Sequence, residues 1–192
     1  MFVSPGQTRI LSATRKLVRR DGYATVSLRQ IAAEAGYSPA GLYAHYPSLG
    51  GILDALADVV RQELAAALEK AAEQDCGAAE QLVGVGMAYI RYGLDHPAEF
   101  ELLFRFTQAR KKSRSDPTPS SFDLLRRLAR RAAPAASAED IDSTCLGLWA
   151  AAHGLANLRT AHLAGVDCDW EDWSRRILHN QVRVLRCTGL SS

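Results

Sequence analysis

Between Ser27 and Tyr46 the sequence SLRQIAAEAGYSPAGLYAHY sets a few hydrogen-bonding side chains among small, neutral ones. Ser27, Arg29, Tyr37, Ser38, Tyr43 and His45 carry the polar groups, and Pro39, Ala40 and Gly41 lie between them. An arginine can meet a guanine edge with two hydrogen bonds, a phenol or imidazole can donate to a phosphate oxygen, and small side chains can rest against thymine methyls. The chemistry on offer is contact with a nucleic acid. Bond-making chemistry is not written here. The five histidines, His45, His96, His153, His162 and His179, are scattered, and neither a nucleophile–base spacing nor a Gly-rich phosphate loop occurs.

Two short helices must hold these residues. Ser27 is a good N-cap, and Leu28, Ile31, Ala32 and Ala35 recur at the spacing of one buried helix face. Gly36 supplies the positive φ of a tight helix stop, and Ser38-Pro39 restarts the chain as N-cap and first helical residue. The second helix is predicted to run for about two turns with Leu42 and Tyr46 inward, leaving a small face that can enter a major groove roughly 12 Å wide. That is a helix-turn-helix. A preceding helix with Ile10, Thr14, Leu17 and Val18 buried, ended by Asp21-Gly22, completes a three-helix unit.

From Ser48 to about Gln74 the apolar pattern Ile52, Leu53, Leu56, Val59, Val60, Leu64 and Leu68 sustains one helix, roughly 40 Å long at 1.5 Å per residue. Further helices are expected before Asp95, after His96-Pro97, over Phe122–Ala133, near Ala138–Leu163 and over Trp170–Cys187. The basic, Pro-rich stretch 110–121 reads as an exposed, mobile loop, either solvated or touching nucleic acid. The predicted fold is all-α with about nine helices: a helix-turn-helix domain over residues 1–47, then a helical bundle for ligand binding and dimerisation over residues 48–192.

Composition agrees. The 192 residues are 47% hydrophobic, largely Ala and Leu, which favour helix. Residues 1–50 hold six Lys/Arg against two acids, so this segment is +4 while the remainder is −2. A basic excess at one end suits a phosphate-facing domain. The start MFVSPGQTRI is not a secretory signal, and no run of 18 uncharged apolar residues occurs, which predicts a cytoplasmic chain without a membrane partner. Cys76, Cys145, Cys168 and Cys187 lack metal-ligand spacing and read as small packed thiols, with a redox-sensing pair as the alternative. No metal and no cofactor is expected.

The ordered set Ile10, Ala13, Leu17, Gly22-Tyr23, Ser27-Leu28-Arg29-Gln30-Ile31-Ala32, Ala35-Gly36-Tyr37-Ser38, Leu42-Tyr43 and Tyr46-Pro47-Ser48 resembles the tetracycline-repressor (TetR) family of transcriptional regulators. Trp149-Ala150-Ala151-Ala152-His153-Gly154, with the stretch from His96 to Phe104, is similar to a family subtype carrying Trp, His and Gly on one C-terminal helix. The resemblance implies a non-enzymatic DNA-binding regulator, a repressor that binds a palindromic operator as a homodimer and is released by a small-molecule effector. Control by thiol oxidation or a partner protein is the alternative.

On that reading Tyr43 and His45 meet phosphates, Ser27 both caps and contacts, and Arg29, Tyr37, Ser38, Pro39, Ala40 and Gly41 surround the base edges. For Tyr43, packing is the competing role. The pattern departs at Leu49, where family members commonly place a phosphate-binding lysine. One lost contact would lower the log–log salt slope by about 0.9, unless Arg9, Arg15 or Arg19 replaces it. Met87, Tyr89, Tyr92, Phe100, Leu103, Phe104, Phe122, Trp149 and His153 are the candidate effector-lining residues, with core packing as the alternative for each. Arg91, Arg105 and Asn157 could orient a polar group. Leu146, Leu148, Leu155, Leu158, Ile177, Val182, Val184 and Leu185 supply apolar surface for pairing across a two-fold axis.

Overall fold

The computed structural model describes residues 4–106, 121–162 and 165–188. The described residues form nine α-helices and no strand: α1 (Pro5–Asp21), α2 (Leu28–Ala35), α3 (Pro39–Tyr43), α4 (Leu49–Ala72), α5 (Ala78–Asp95), α6 (Pro97–Phe106), α7 (Ser121–Ala132), α8 (Ala138–Asn157) and α9 (Trp170–Thr188). The chain divides into two compact units, residues 1–63 with 96–116, and residues 64–95 with 117–192. The stretch 110–121, expected as a loop, lies outside the described residues except for Ser121, which opens α7.

In the first unit the helix starts follow from local chemistry. Ser4 caps α1, Ser27 caps α2, Ser38 caps α3 and Ser48 caps α4, each hydroxyl accepting from the backbone N–H three residues on. Gly36 ends α2 at φ 71°, a conformation that costs any residue with a Cβ. Ile10, Thr14, Leu17 and Val18 of α1 are buried as expected, beside Ile31, Ala32, Ala35 and Leu42. The expected two-turn second helix is shorter. It stops at Tyr43, Ala44 and His45 form a turn, and Tyr46 is only half-buried. Pro47 explains this, because its ring disfavours helical backbone at the residue before it.

Helix α6 belongs to this first unit although α5 and α7 belong to the second. A buried carboxylate ties it there. Glu99, 1% exposed, lies 2.7 Å from Arg15 Nε and accepts from Arg19 Nε at 2.9 Å, both arginines being on α1. Arg15 reaches Glu63 of α4 as well, with Nη1 donating at 2.9 Å and Nη2 at 2.5 Å. Two cations around one desolvated carboxylate offset the cost of burying it.

In the second unit α5, α7, α8 and α9 pack on one another around Leu82, Val83, Leu124, Leu128, Ile141, Leu148 and Leu178. Helix α8 ends at Asn157 and continues as a π-helical turn, Leu158–His162. Among the described residues no helix is long and apolar enough to cross a membrane.

Candidate functional site

The N-terminus of α2 is closed by a reciprocal capping box. The Ser27 hydroxyl accepts from Gln30 N–H at 3.4 Å, while Gln30 Oε1 accepts from Ser27 N–H at 2.9 Å and from the Ser27 hydroxyl at 2.6 Å. Both donors of Ser27 are thereby used inside the protein. Arg29 and Gln30 beside it are exposed, as are Ser38, Pro39, Ala40 and Tyr43 across the turn. Tyr43 is 56% exposed, which argues against packing as its role. Gly41 is half-buried, with Ser38 Oγ 3.3 Å from where a Cβ would stand.

Tyr37 and His45 are half-buried and do structural work. Their rings meet edge-on at 5.4 Å, and a Cβ on Gly6 would lie 2.5 Å from His45 Cε1 and 3.0 Å from the Tyr37 hydroxyl. Gly6 therefore lets the start of α1 sit directly against the two rings. Of the cations that could replace the missing lysine at Leu49, Arg15 and Arg19 are held by Glu99. Among the described residues Arg9 is exposed and has no ion-pair partner.

The nine residues expected to line an effector site are divided between the two units. Phe100 and Leu103 are buried in the first unit with α6, and Phe104 is exposed there, 5.1 Å from Phe100. The other six lie in the second unit. Three of them form a polar chain. Trp149 Nε1 donates to the Tyr89 hydroxyl at 3.2 Å, and that hydroxyl lies 3.2 Å from His153 Nδ1. Asn157 Nδ2 continues it, donating to the His153 carbonyl at 2.9 Å and lying 3.0 Å from Nε2. Burial pushes the Tyr89 phenol up to about 12 and holds the His153 imidazole below its ordinary value, so both are neutral near pH 7. Phe122 flanks Trp149 at 6.3 Å, with the Arg126 guanidinium 4.7 Å from the Phe122 centroid.

Met87 instead lines a half-open cleft of about 240 Å³ with Ile90, Arg91, Leu94, Trp170 and Ser174, and Tyr92 is half-buried. Arg91 is 3.7 Å from Glu171, Arg105 lies with α6 in the first unit, and Asn157 engages the aromatic set through His153. Cys145 is buried and its thiol is pushed up to about 11, mainly by desolvation, which removes the thiolate that oxidation needs. The side chains of His162 and Cys187 lie outside the described residues. Sequence reasoning missed Gln30 and Glu99. The Ser-x-x-Gln spacing was a readable signal for Gln30, whereas nothing local marked Glu99 as the tie to α1.

These features have counterparts in known proteins. Residues 10–56 match the description "Bacterial regulatory proteins, tetR family", and residues 82–180 match "Tetracyclin repressor-like, C-terminal domain". The chain belongs to the TetR family, and it is a DNA-binding transcriptional regulator rather than an enzyme. A search of curated proteins returned no match.

Among solved structures, a protein of unknown function from Rhodococcus sp. RHA1 is similar at 25% identity with a TM-score of 0.76, covering 97% of this chain and 96% of that one. A tetR-family bacterial regulatory protein from Rhodococcus RHA1 is similar at 19% identity and TM-score 0.67, covering 95% and 97%. A TetR variant from Acinetobacter baumannii AYE, solved with minocycline, has the same fold at 13% identity and TM-score 0.67, covering 95% and 97%.

Proposed function

We propose that the chain is a repressor that binds a palindromic operator as a homodimer and lets go when a small molecule enters its C-terminal part. In this reading residues 1–47 bind DNA, and the ligand and dimer surfaces lie within residues 48–192. The observation that carries it is the α2–turn–α3 segment, where Arg29, Pro39, Ala40 and Tyr43 are exposed around a buried Leu42. Ser27, Ser38, Gly41, Tyr37 and His45 complete the surface, the last two as supports for α3 as much as contacts.

Pairing is supported by apolar side chains that the second unit leaves in solvent. Leu146 is 57% exposed and Trp173 51% exposed, with Trp149, Leu158 and Ile177 also exposed on α8, its π-helical continuation and α9. Of the apolar residues expected at a dimer face, Leu148, Leu155, Val182 and Leu185 are buried within the unit. Burying the exposed set against a second copy would place two recognition helices about one DNA turn apart. For the effector, the Tyr89–His153–Asn157 chain offers neutral donors and acceptors beside the Trp149 and Phe122 rings, suited to a flat molecule with a few polar atoms.

The test is selection of duplexes from a random-sequence library by the full chain, with light scattering in parallel. A palindromic consensus and a dimer are expected, and release of the selected duplex by one member of a small-molecule panel identifies the effector. A monomer at micromolar concentration or a consensus without two-fold symmetry contradicts the proposal.

A further inference from the structure

The cleft beside Met87 is separate from the Tyr89–His153–Asn157 chain. Met87, Ile90 and Leu94 follow one another at helical spacing along α5 and line it, whereas Tyr89, two residues past Met87, leaves the helix on the opposite side toward Trp149 and His153. Trp170 and Ser174, one turn apart at the start of α9, complete the lining. The space of about 240 Å³ equals that of about eight waters at roughly 30 Å³ each. Its inner groups are mostly apolar, and the exceptions are specific. Trp170 Nε1 is buried with no hydrogen-bond partner, and an indole N–H can only donate. Ser174, 1% exposed, adds a buried hydroxyl one turn further on.

We propose that this cleft binds a small, uncharged aromatic carbonyl compound. A buried donor left unmet calls for an acceptor that the chain itself does not supply. A carbonyl oxygen has two lone pairs, one for Trp170 Nε1 and one for the Ser174 hydroxyl, whose side chains are neighbours on α9. A flat ring suits the rest of the lining, the Met87 thioether with Ile90 and Leu94. The charged groups of the cleft are exposed or half-exposed and cancel, Arg91 and Arg159 against Asp95 and Glu171. An anion would have to draw Arg91 from Glu171, 3.7 Å away, and a cation would bring the indole no acceptor. The site shares no residue with the Tyr89–His153–Asn157 chain, so it stands or falls independently of the effector reading.

The probes are benzamide, benzoate and benzamidine, three molecules of one shape with about nine non-hydrogen atoms each that differ in charge. Each is titrated into the isotope-labelled full chain and followed by proton–nitrogen NMR at the tryptophan indoles, assigned with single Trp→Phe variants. Benzamide is expected to move the Trp170 indole resonance downfield with a dissociation constant of about a millimolar, and to leave the Trp149 indole, already bonded to Tyr89, in place. Benzoate and benzamidine are expected to bind at least about tenfold more weakly. Ser174→Ala, melting close to wild type, should weaken benzamide about threefold to tenfold. Leu94→Phe, at a half-buried position, fills the cleft and should abolish the Trp170 shift.

A Trp170 resonance that stays in place at about 20 mM benzamide overturns the proposal. Equal affinity for the three probes, or tighter binding of either ion, overturns it as well, as does a Leu94→Phe variant that still shows the Trp170 shift. Movement of the Trp149 indole instead puts the probe at the Tyr89 chain, which overturns this site while leaving the effector reading intact.

Discussion

The helix-turn-helix end and the C-terminal unit solve the same problem, placing a few polar groups on a helical scaffold, in opposite ways. In the first, the helix ends are set by residues within four places: the start of α2 by Ser27 and Gln30, the start of α3 by Ser38 and the Gly41 N–H, and the α2 stop by Gly36. In the second, Tyr89 is held by Trp149 and His153 at separations of 60 and 64 residues. Local positioning makes a rigid reading head that folds with its own turn. Distant positioning makes an arrangement that exists only when several helices agree, and under the proposed function it is there that a ligand would shift an equilibrium.

The contrast predicts where mutations act. The largest effect is expected from Leu42→Ala, because Leu42 is fully buried under α3 and its truncation should cost roughly 2–5 kcal/mol and remove DNA binding. Denaturant melts and a gel shift check this, and a loss below about 1 kcal/mol would break the claim that α3 is set by its own core residue. Glu99→Gln comes next. The variant keeps the shape but leaves Arg15 and Arg19 facing a neutral amide, at about 2–3 kcal/mol, less than a fully buried pair because Arg19 is half in solvent. Its denaturation midpoint should fall further in low salt than in high salt.

The second unit should respond more gently. Trp149→Phe removes the donor to Tyr89 from a partly exposed site, so about 0.5–1 kcal/mol is expected while effector affinity falls more steeply. The smallest effect is on pH. The native His153 imidazole titrates below the ordinary value of 6.5, so the unfolded chain binds its proton first on acidification. This contribution is fully present above 6.5 and is lost as pH falls through the native value. A wild-type melt should therefore lose more stability than His153→Gln between about pH 8 and about pH 5.

How much was legible in the sequence follows the same division. Ser27, Gly36 and Ser38-Pro39 announce α2, the turn and α3, since caps and positive φ depend on one or two residues. The length of α3 was overread, although Pro47 was in view, because Tyr46 looks apolar at helical spacing. The allegiance of α6 was not legible. Phe100, Leu103 and Phe104 are apolar in any surroundings, and what draws their helix into the first unit is Glu99 meeting Arg19, 80 residues away. On α8 and α9 the apolar positions were readable, but a periodic pattern does not separate Leu148, which is buried, from Leu146, which is exposed.

The central claim, that α2, the turn and α3 form the DNA-reading head, is tested most directly by repeating the library selection with Arg29→Ala and Tyr43→Ala. Arg29→Ala is expected to recover a consensus relaxed at one position in each half-site, and Tyr43→Ala the wild-type consensus at uniformly weaker affinity. Both variants recovering the wild-type consensus at wild-type affinity would contradict the account.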